Sequence, residues 1–223
     1  TDEQIEQFLQ YYEMLVEKNK VMNLTGITEY EEVIQKHFLD SLSLIRVIPD
    51  IASQKLTVID LGTGAGFPGI PLKIAFPELE ITLMDSLNKR ILFLQEVIDA
   101  LGQKKVSAVH GRAEEMSSNA THRQQYDLCV SRADSNLAVL TEYCLPFVKK
   151  GGLFVSYKSA DSDAEIQEGK KAISILGGKL TSVDKFQLPD SDLRRALVCI
   201  KKVKDTPKKY PRKAGTPAKL PLK

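Results

Sequence analysis

From Leu56 to Lys202, short apolar runs alternate with amphipathic stretches of helical period. That alternation restricts the fold more than any other feature of the chain. Seven runs read as strands: 56–61, 80–84, 106–109, 126–131, 153–158, 179–187 and 193–202. Residues 68–75, 88–101, 136–148 and 163–176 read as helices between them, and Pro189-Asp190-Ser191 joins the last two strands directly. Runs so rich in Val, Ile and Leu imply strands buried on both faces. The expected fold is α/β, an open and mostly parallel sheet with helices on both faces. Two helical stretches precede it. One repeats Ile5, Phe8, Leu9, Tyr12, Leu15 and Val16; the other runs over 29–46 with Val33, His37, Leu44 and Ile45 as inner positions, and Pro49 ends it. Three parts follow: a helical extension packed on the core (1–50), the sheet domain (51–203) and a tail (204–223).

The first strand runs into Asp60-x-Gly62-x-Gly64-x-Gly66. In a doubly wound sheet the ligand crevice lies at the carboxyl ends of the strands, and the first βα loop forms its edge. Glycines there let the backbone bend sharply and touch a ligand, and Pro68 pre-sets a helix start. Gly64 to Gly69 also matches the G-x-G-x-x-G dinucleotide fingerprint, a weak signal alone. Asp60 is expected at the strand tip, facing the crevice. A carboxylate there suits a ligand bearing an ammonium group and suits a diphosphate badly. No Gly-Lys-Ser/Thr follows, which argues against a nucleoside triphosphate. An acid followed by alternating glycines is the pattern of S-adenosylmethionine-dependent methyltransferases. Asp85, at the end of the second strand, is placed to accept both ribose hydroxyls. Ala113-Glu114, after the third strand, are placed to meet an adenine edge. Asp85 or Glu114 alone would more often be a helix-terminal acid; at successive strand ends they reinforce one another.

The formal charge of +2 hides an asymmetry: nine of the 31 Lys and Arg but only Asp205 of the 29 acids lie in residues 201–223, so this end carries +8 and the rest −6. Four of the ten prolines, Pro207, Pro211, Pro217 and Pro221, lie there too. Such a tail is either a handle for a polyanion or a solvated, disordered end. The three cysteines form no C-x-x-C pair, which argues against a zinc site and suits reduced thiols in a cytoplasm. No apolar run approaches a membrane span, and no leader is recognisable.

The strings "MNLTGIT", "KHFLDSL", "DLGTGAGFPGIPL", "GRAEE", "SRA", "EYCLPFVKKGG" and "TPKKYPRKAGTP" together resemble the bacterial GidB/RsmG family across nearly the whole chain. The resemblance implies a class I methyltransferase fold (Rossmann-like, seven-stranded), S-adenosylmethionine as cofactor and transfer to N7 of a guanine in 16S ribosomal RNA. It implies cofactor contacts at Gly62, Phe67, Ala113, Glu114 and Arg132; Arg132 would hold the methionine carboxylate or an RNA phosphate. Two segments depart from the family pattern. Asp134-Ser135-Asn136 follows "SRA" where small apolar residues are usual, and Ser159-Ala160-Asp161 follows Lys158 where Gly is usual. Both would flank the substrate mouth.

Guanine N7 carries a free lone pair, so the implied reaction needs orientation and exclusion of water and no catalytic base. In keeping with that, the chain has no Asn/Asp-Pro-Pro-Tyr/Phe string and no Pro-Cys or Thr-Cys pair. Cys144 reads as core, and His37 either faces the substrate or sits in the core. N7 is unreadable in the deep groove of A-form RNA, so the target is expected in an exposed loop or opened RNA. Arg132, Lys158, Lys208, Lys209, Arg212 and Lys213 are the candidate RNA contacts, with Tyr210 among them for stacking. The expected protein is a cytoplasmic monomer acting on the small ribosomal subunit, with no metal and no membrane. Rival readings are a methyltransferase on protein or a small molecule, a dinucleotide-dependent reductase, and an RNA-binding assembly factor with an inactive cofactor pocket. Substrate screening separates the first and NAD(P)H binding the second.

Overall fold

The computed structural model describes residues 1–223. Thr57–Leu61 (β1) has four of its five residues buried, as a strand covered on both faces requires. It pairs in parallel with Glu80–Asp85 (β2) and Tyr126–Ser131 (β4), and β2 pairs in parallel with Val106–His110 (β3). Val148–Ser159 (β5) lies parallel to β4. Arg194–Lys202 (β7) runs antiparallel between β5 and Gly178–Gln187 (β6), giving the order β3-β2-β1-β4-β5-β7-β6. The winding reverses between β1 and β4, so a crevice opens at their carboxyl ends.

Two apolar layers flank the sheet. One contains Asp2–Asn19 (α1), Gly69–Ala75 (α4) and Asn88–Ala100 (α5). The other contains Leu137–Cys144 (α7) and Asp163–Ile175 (α8). Thr1 and Gln4 cap the start of α1 reciprocally, with Asp2 and Glu3 in its first turn and Lys18 in its last. The buried residues of α1 are Tyr11 and Leu15, whereas Ile5 and Leu9 stay 60% and 40% exposed, contrary to their expected inner place. The reason is polar: Gln4 donates to the carbonyls of Ile74 and Ala75, and Gln7 to that of Leu101, at the ends of α4 and α5. Terminal helix carbonyls need such donors, so they turn the glutamine face of α1 inward.

Residues 30–46 change pitch repeatedly. Tyr30–Val33 (α2) leads into a π-helical segment, Ile34–Leu39, then Asp40–Leu42 (α3), then a 3-10 turn, Ser43–Arg46. Each change of pitch rotates the buried face. Ile45, expected inside on a uniform 3.6 period, is 45% exposed, while Asp40, Ser41 and Ser43 are buried. A second boundary also moves. α7 ends at Cys144, not near Val148, because Pro146 sits in a 3-10 turn and cannot donate into a helix. Lys149 to Gly152 belong to β5, where a Cβ on Gly152 would meet the Asp127 carbonyl at 2.6 Å.

The last twenty residues are laid on the domain. Arg123 donates to the carbonyls of Thr206 and Tyr210, and Tyr210 and Leu222 pack on the α7/α8 layer. A short helix, Thr216–Lys219, lies in this segment, and Gly215 just before it donates to Glu114 of the short helix Ala113–Met116 (α6). No helix is long and apolar enough to cross a membrane.

Candidate active site

Gly62, Gly64 and Gly66 all have positive φ, at 70°, 59° and 109°. At Gly64 an added Cβ meets nothing within 4 Å, and at Gly62 only Ala133 at 4.0 Å; both open onto free space. At Gly66 the same atom would lie 2.6 Å from the Tyr11 hydroxyl, so this glycine serves packing. Tyr11 donates to the Ala65 carbonyl at 2.6 Å, bracing the loop from α1. Asp60 is fully buried beneath the loop instead of facing the crevice. Its Oδ2 accepts from the Thr63 hydroxyl (2.7 Å) and the Gly69 amide (2.8 Å), while Oδ1 has no donor. Burial pushes this carboxyl up to about 7. The strand turns its acid under the glycines because the loop needs an acceptor there.

The crevice itself is a cleft of about 380 Å³ at the carboxyl ends of β1, β2, β3 and β4. Gly62, Asp85, Ala113 and Glu114, four of the residues expected to hold the cofactor, line it. Asp85 accepts from the amides of Gly64 (2.9 Å) and Leu87 (3.0 Å) and faces Arg90 at 3.4 Å. Glu114 also holds Gly215, which ties the tail to the cleft wall. Met84, Leu140 and Tyr143 supply apolar wall that the motif reading missed. The first sits beside Asp85 at the strand tip, a position legible in the strand pattern; the other two come from α7, where Leu140 lies in no quoted string and Tyr143 lies in "EYCLPFVKKGG", a string that points to no cofactor contact.

A second cleft of about 350 Å³ adjoins the first, and Ala133 lines both. Its walls are polar and charged: Asp40, Arg132, Lys158, Glu165 and Arg195, with Tyr157. Arg132 therefore stands at the second cleft, not among the residues lining the first. It faces Asp40 Oδ2 at 3.1 Å, and its guanidinium lies 5.5 Å from the centre of the Phe67 ring. Phe67 is buried and stacks on His37 at 4.3 Å, beneath the loop and outside both clefts. Arg132 donates to His37 Nδ1 (2.9 Å), so that nitrogen accepts, and Nε2 carries the proton toward Thr25 Oγ1 (2.9 Å). Burial first, then Arg132, lowers the imidazole to about 3. His37 is thus a neutral, fully bonded spacer. Lys158 is buried, donating to Ser135 O and paired with Glu165 at 2.7 Å.

In the tail, Lys208, Lys209 and Lys213 are exposed. Arg212 is not a free handle: it grips the buried Glu142 at 2.7 and 3.0 Å and the Leu220 carbonyl at 2.7 Å. Cys144 is buried in the core as read.

The GidB family, described as rRNA small subunit methyltransferase G, matches residues 4–198. A protein of Lachnoclostridium phytofermentans named ribosomal RNA small subunit methyltransferase G is 58% identical over 98% of this chain and 90% of its own length. One of the same name from Alkaliphilus metalliredigens is 54% identical over 100% of this chain and 92% of its own length.

This chain belongs to the GidB family of small-subunit ribosomal RNA methyltransferases.

Solved structures extend the likeness to the fold. YcgJ from Bacillus subtilis aligns with TM-score 0.56 at 13% identity, over 75% of this chain and 100% of its own. M. jannaschii TYW2 in complex with AdoMet aligns with TM-score 0.54 at 13% identity, over 71% of this chain and 76% of its own. The GidB chain thus has the class I methyltransferase fold with a helical segment before β1.

Proposed function

We propose that this chain transfers a methyl group from S-adenosylmethionine to N7 of a guanine in the 16S ribosomal RNA of the small subunit. One observation carries the reading: two clefts open side by side at the switch point of the sheet and share Ala133. The first has the donor set for a nucleoside with an amino-acid arm. The Asp85 oxygens retain acceptor capacity for ribose hydroxyls, open space faces Gly62 and Gly64, and apolar wall from Met84 and Leu140 suits an adenine face. The second has the charge of a nucleotide site, with Arg132 and Arg195 for phosphate or base.

S-adenosylmethionine, when bound, supplies a sulfonium methyl open to in-line displacement. The guanine N7 lone pair forms the new N–C bond, the S–C pair stays on sulfur, and the positive charge passes to the purine. No proton moves, which agrees with His37 having both nitrogens committed. The protein's contribution is alignment: Tyr11, Asp60 and Asp85 hold the loop, and Arg132 joins it to residues 30–46. Lys208, Lys209 and Lys213 attract the RNA backbone to a monomeric enzyme working in the cytoplasm. The test is transfer of labelled methyl from S-adenosylmethionine to small subunits prepared from cells lacking this gene. Label in the RNA fraction supports the reading; label only in protein, or none, contradicts it.

A further inference from the structure

Asp40 is the one carboxylate that residues 30–46 bring to the second cleft. Its side chain is 5% exposed, an unusual place for a charge. Oδ2 faces Arg132 at 3.1 Å. Oδ1 is buried without a hydrogen bond; Arg195 Nε lies 3.4 Å away but makes only a loose ion pair. The neighbouring Tyr157 hydroxyl is already spent on the Ser41 carbonyl at 2.7 Å. A buried acceptor held only by a long ion pair, at the wall of a polar cleft, has capacity left for a donor from outside the chain.

We infer that Asp40 reads the Watson–Crick edge of the target guanine in this cleft, accepting from N1–H and the 2-amino group. The inference rests on the methyl-transfer reading above and names the selectivity element of that site. Guanine is the RNA base that offers two adjacent donors on this edge, while N7 lies across the ring. A base gripped at Asp40 therefore turns its N7 away from the carboxylate, and methyl transfer requires that side of the base to face the first cleft, which shares Ala133 with the second. The contact also strengthens during the reaction. As N7 takes the methyl, positive charge spreads over the purine and N1–H and N2–H become stronger donors. The carboxylate then binds the transition state better than the substrate, which lowers the barrier instead of merely tightening binding. Adenine, with an acceptor at N1, would leave Oδ1 facing a lone pair.

The experiment compares small subunits reconstituted with guanosine or inosine at the methylated position; inosine keeps N1–H and N7 but lacks the 2-amino group. Rates are normalised to the reactivity of each N7 with dimethyl sulfate. The wild-type enzyme should prefer guanosine by about 10-fold or more in kcat/KM, the worth of one charge-assisted hydrogen bond. Asp40→Asn should lose about 100-fold on guanosine and bring the preference close to one, with its S-adenosylmethionine affinity unchanged by calorimetry. If Asp40→Asn does not fold, Asp40→Glu, which keeps the charge between the two arginines, must lower the same ratio. Equal wild-type rates on the two subunits, or an undiminished preference in the variant, would overturn the role of Asp40. Absence of wild-type methylation on guanosine subunits would instead overturn the function on which it rests.

Discussion

Single residues divide the glycine loop into two tasks. Gly66→Ala places a Cβ against the Tyr11 hydroxyl at φ 109°, so thermal stability should fall by several degrees, read by calorimetry. Gly64→Val adds a side chain where nothing stands within 4 Å. Its predicted effect is loss of S-adenosylmethionine binding, accompanied by a lower melting temperature because valine is strained at φ 59°; an unchanged dissociation constant would remove the loop from the cofactor site. The ionisable residues beneath the loop pull in opposite directions. His37 titrates near 3 when folded and near 6.5 when unfolded. Between those values the unfolded chain binds the extra proton, so His37 makes stability fall as pH drops through this window. Asp60 titrates near 7 when folded and 3.8 when unfolded. The folded chain holds the extra proton there, so Asp60 makes stability fall as pH rises from about 4 to about 7. His37→Gln should leave only the second slope, and urea titrations of both proteins at pH 5 and 7 would show it. A variant with the same slope as wild type would mean that His37 does not stay neutral.

At the scale of elements, helices outside the sheet domain shape its site. α1 braces the loop through Tyr11, and residues 30–46 deliver His37 and Asp40. Tyr11→Phe leaves the buried Ala65 carbonyl without its donor, which costs about 1–3 kcal/mol in denaturant unfolding. The seven strands, the glycine loop and the acid at the tip of β2 were legible because each follows from local pattern: apolar runs, alternating glycines, position at a strand end; the order of the strands across the sheet has no such local signal. The inner face of α1 was not, because glutamines that cap other helices are invisible to a hydrophobic period. Nor was Asp40, since a π-helical segment and a 3-10 turn rotate the face on which it lies. Phe67 and Arg132 carry the right strings, yet only the fold reveals that one stacks on His37 and the other stands at a second cleft.

Across the whole molecule, the basic end of the chain is both structure and charge. Its composition suggested either a disordered end or a polyanion handle, and composition alone says nothing of the buried Glu142 that Arg212 grips. Arg212→Ala leaves that carboxylate uncompensated and should cost about 3–5 kcal/mol, with part of the loss recovered when Glu142→Gln is added. Lys208, Lys209 and Lys213, three of the six exposed lysines of residues 204–223, are proposed to do the other work. Replacing Lys208, Lys209 and Lys213 with Ala should flatten the slope of log affinity for subunits against log salt by about 2–3, leaving cofactor affinity intact. An unchanged slope would mean that RNA is held elsewhere, with the arginines of the second cleft next in line. Mapping the product distinguishes transfer to guanine N7 from transfer to any other atom. Small subunits lacking the modification are incubated with the enzyme and S-adenosylmethionine, and the RNA is treated with borohydride and aniline, which cut at 7-methylguanosine. One new cut is expected at a single guanine of the 16S RNA, absent when Gly64→Val replaces the wild-type enzyme. Transfer of methyl without any cut would place it on another atom and contradict the account.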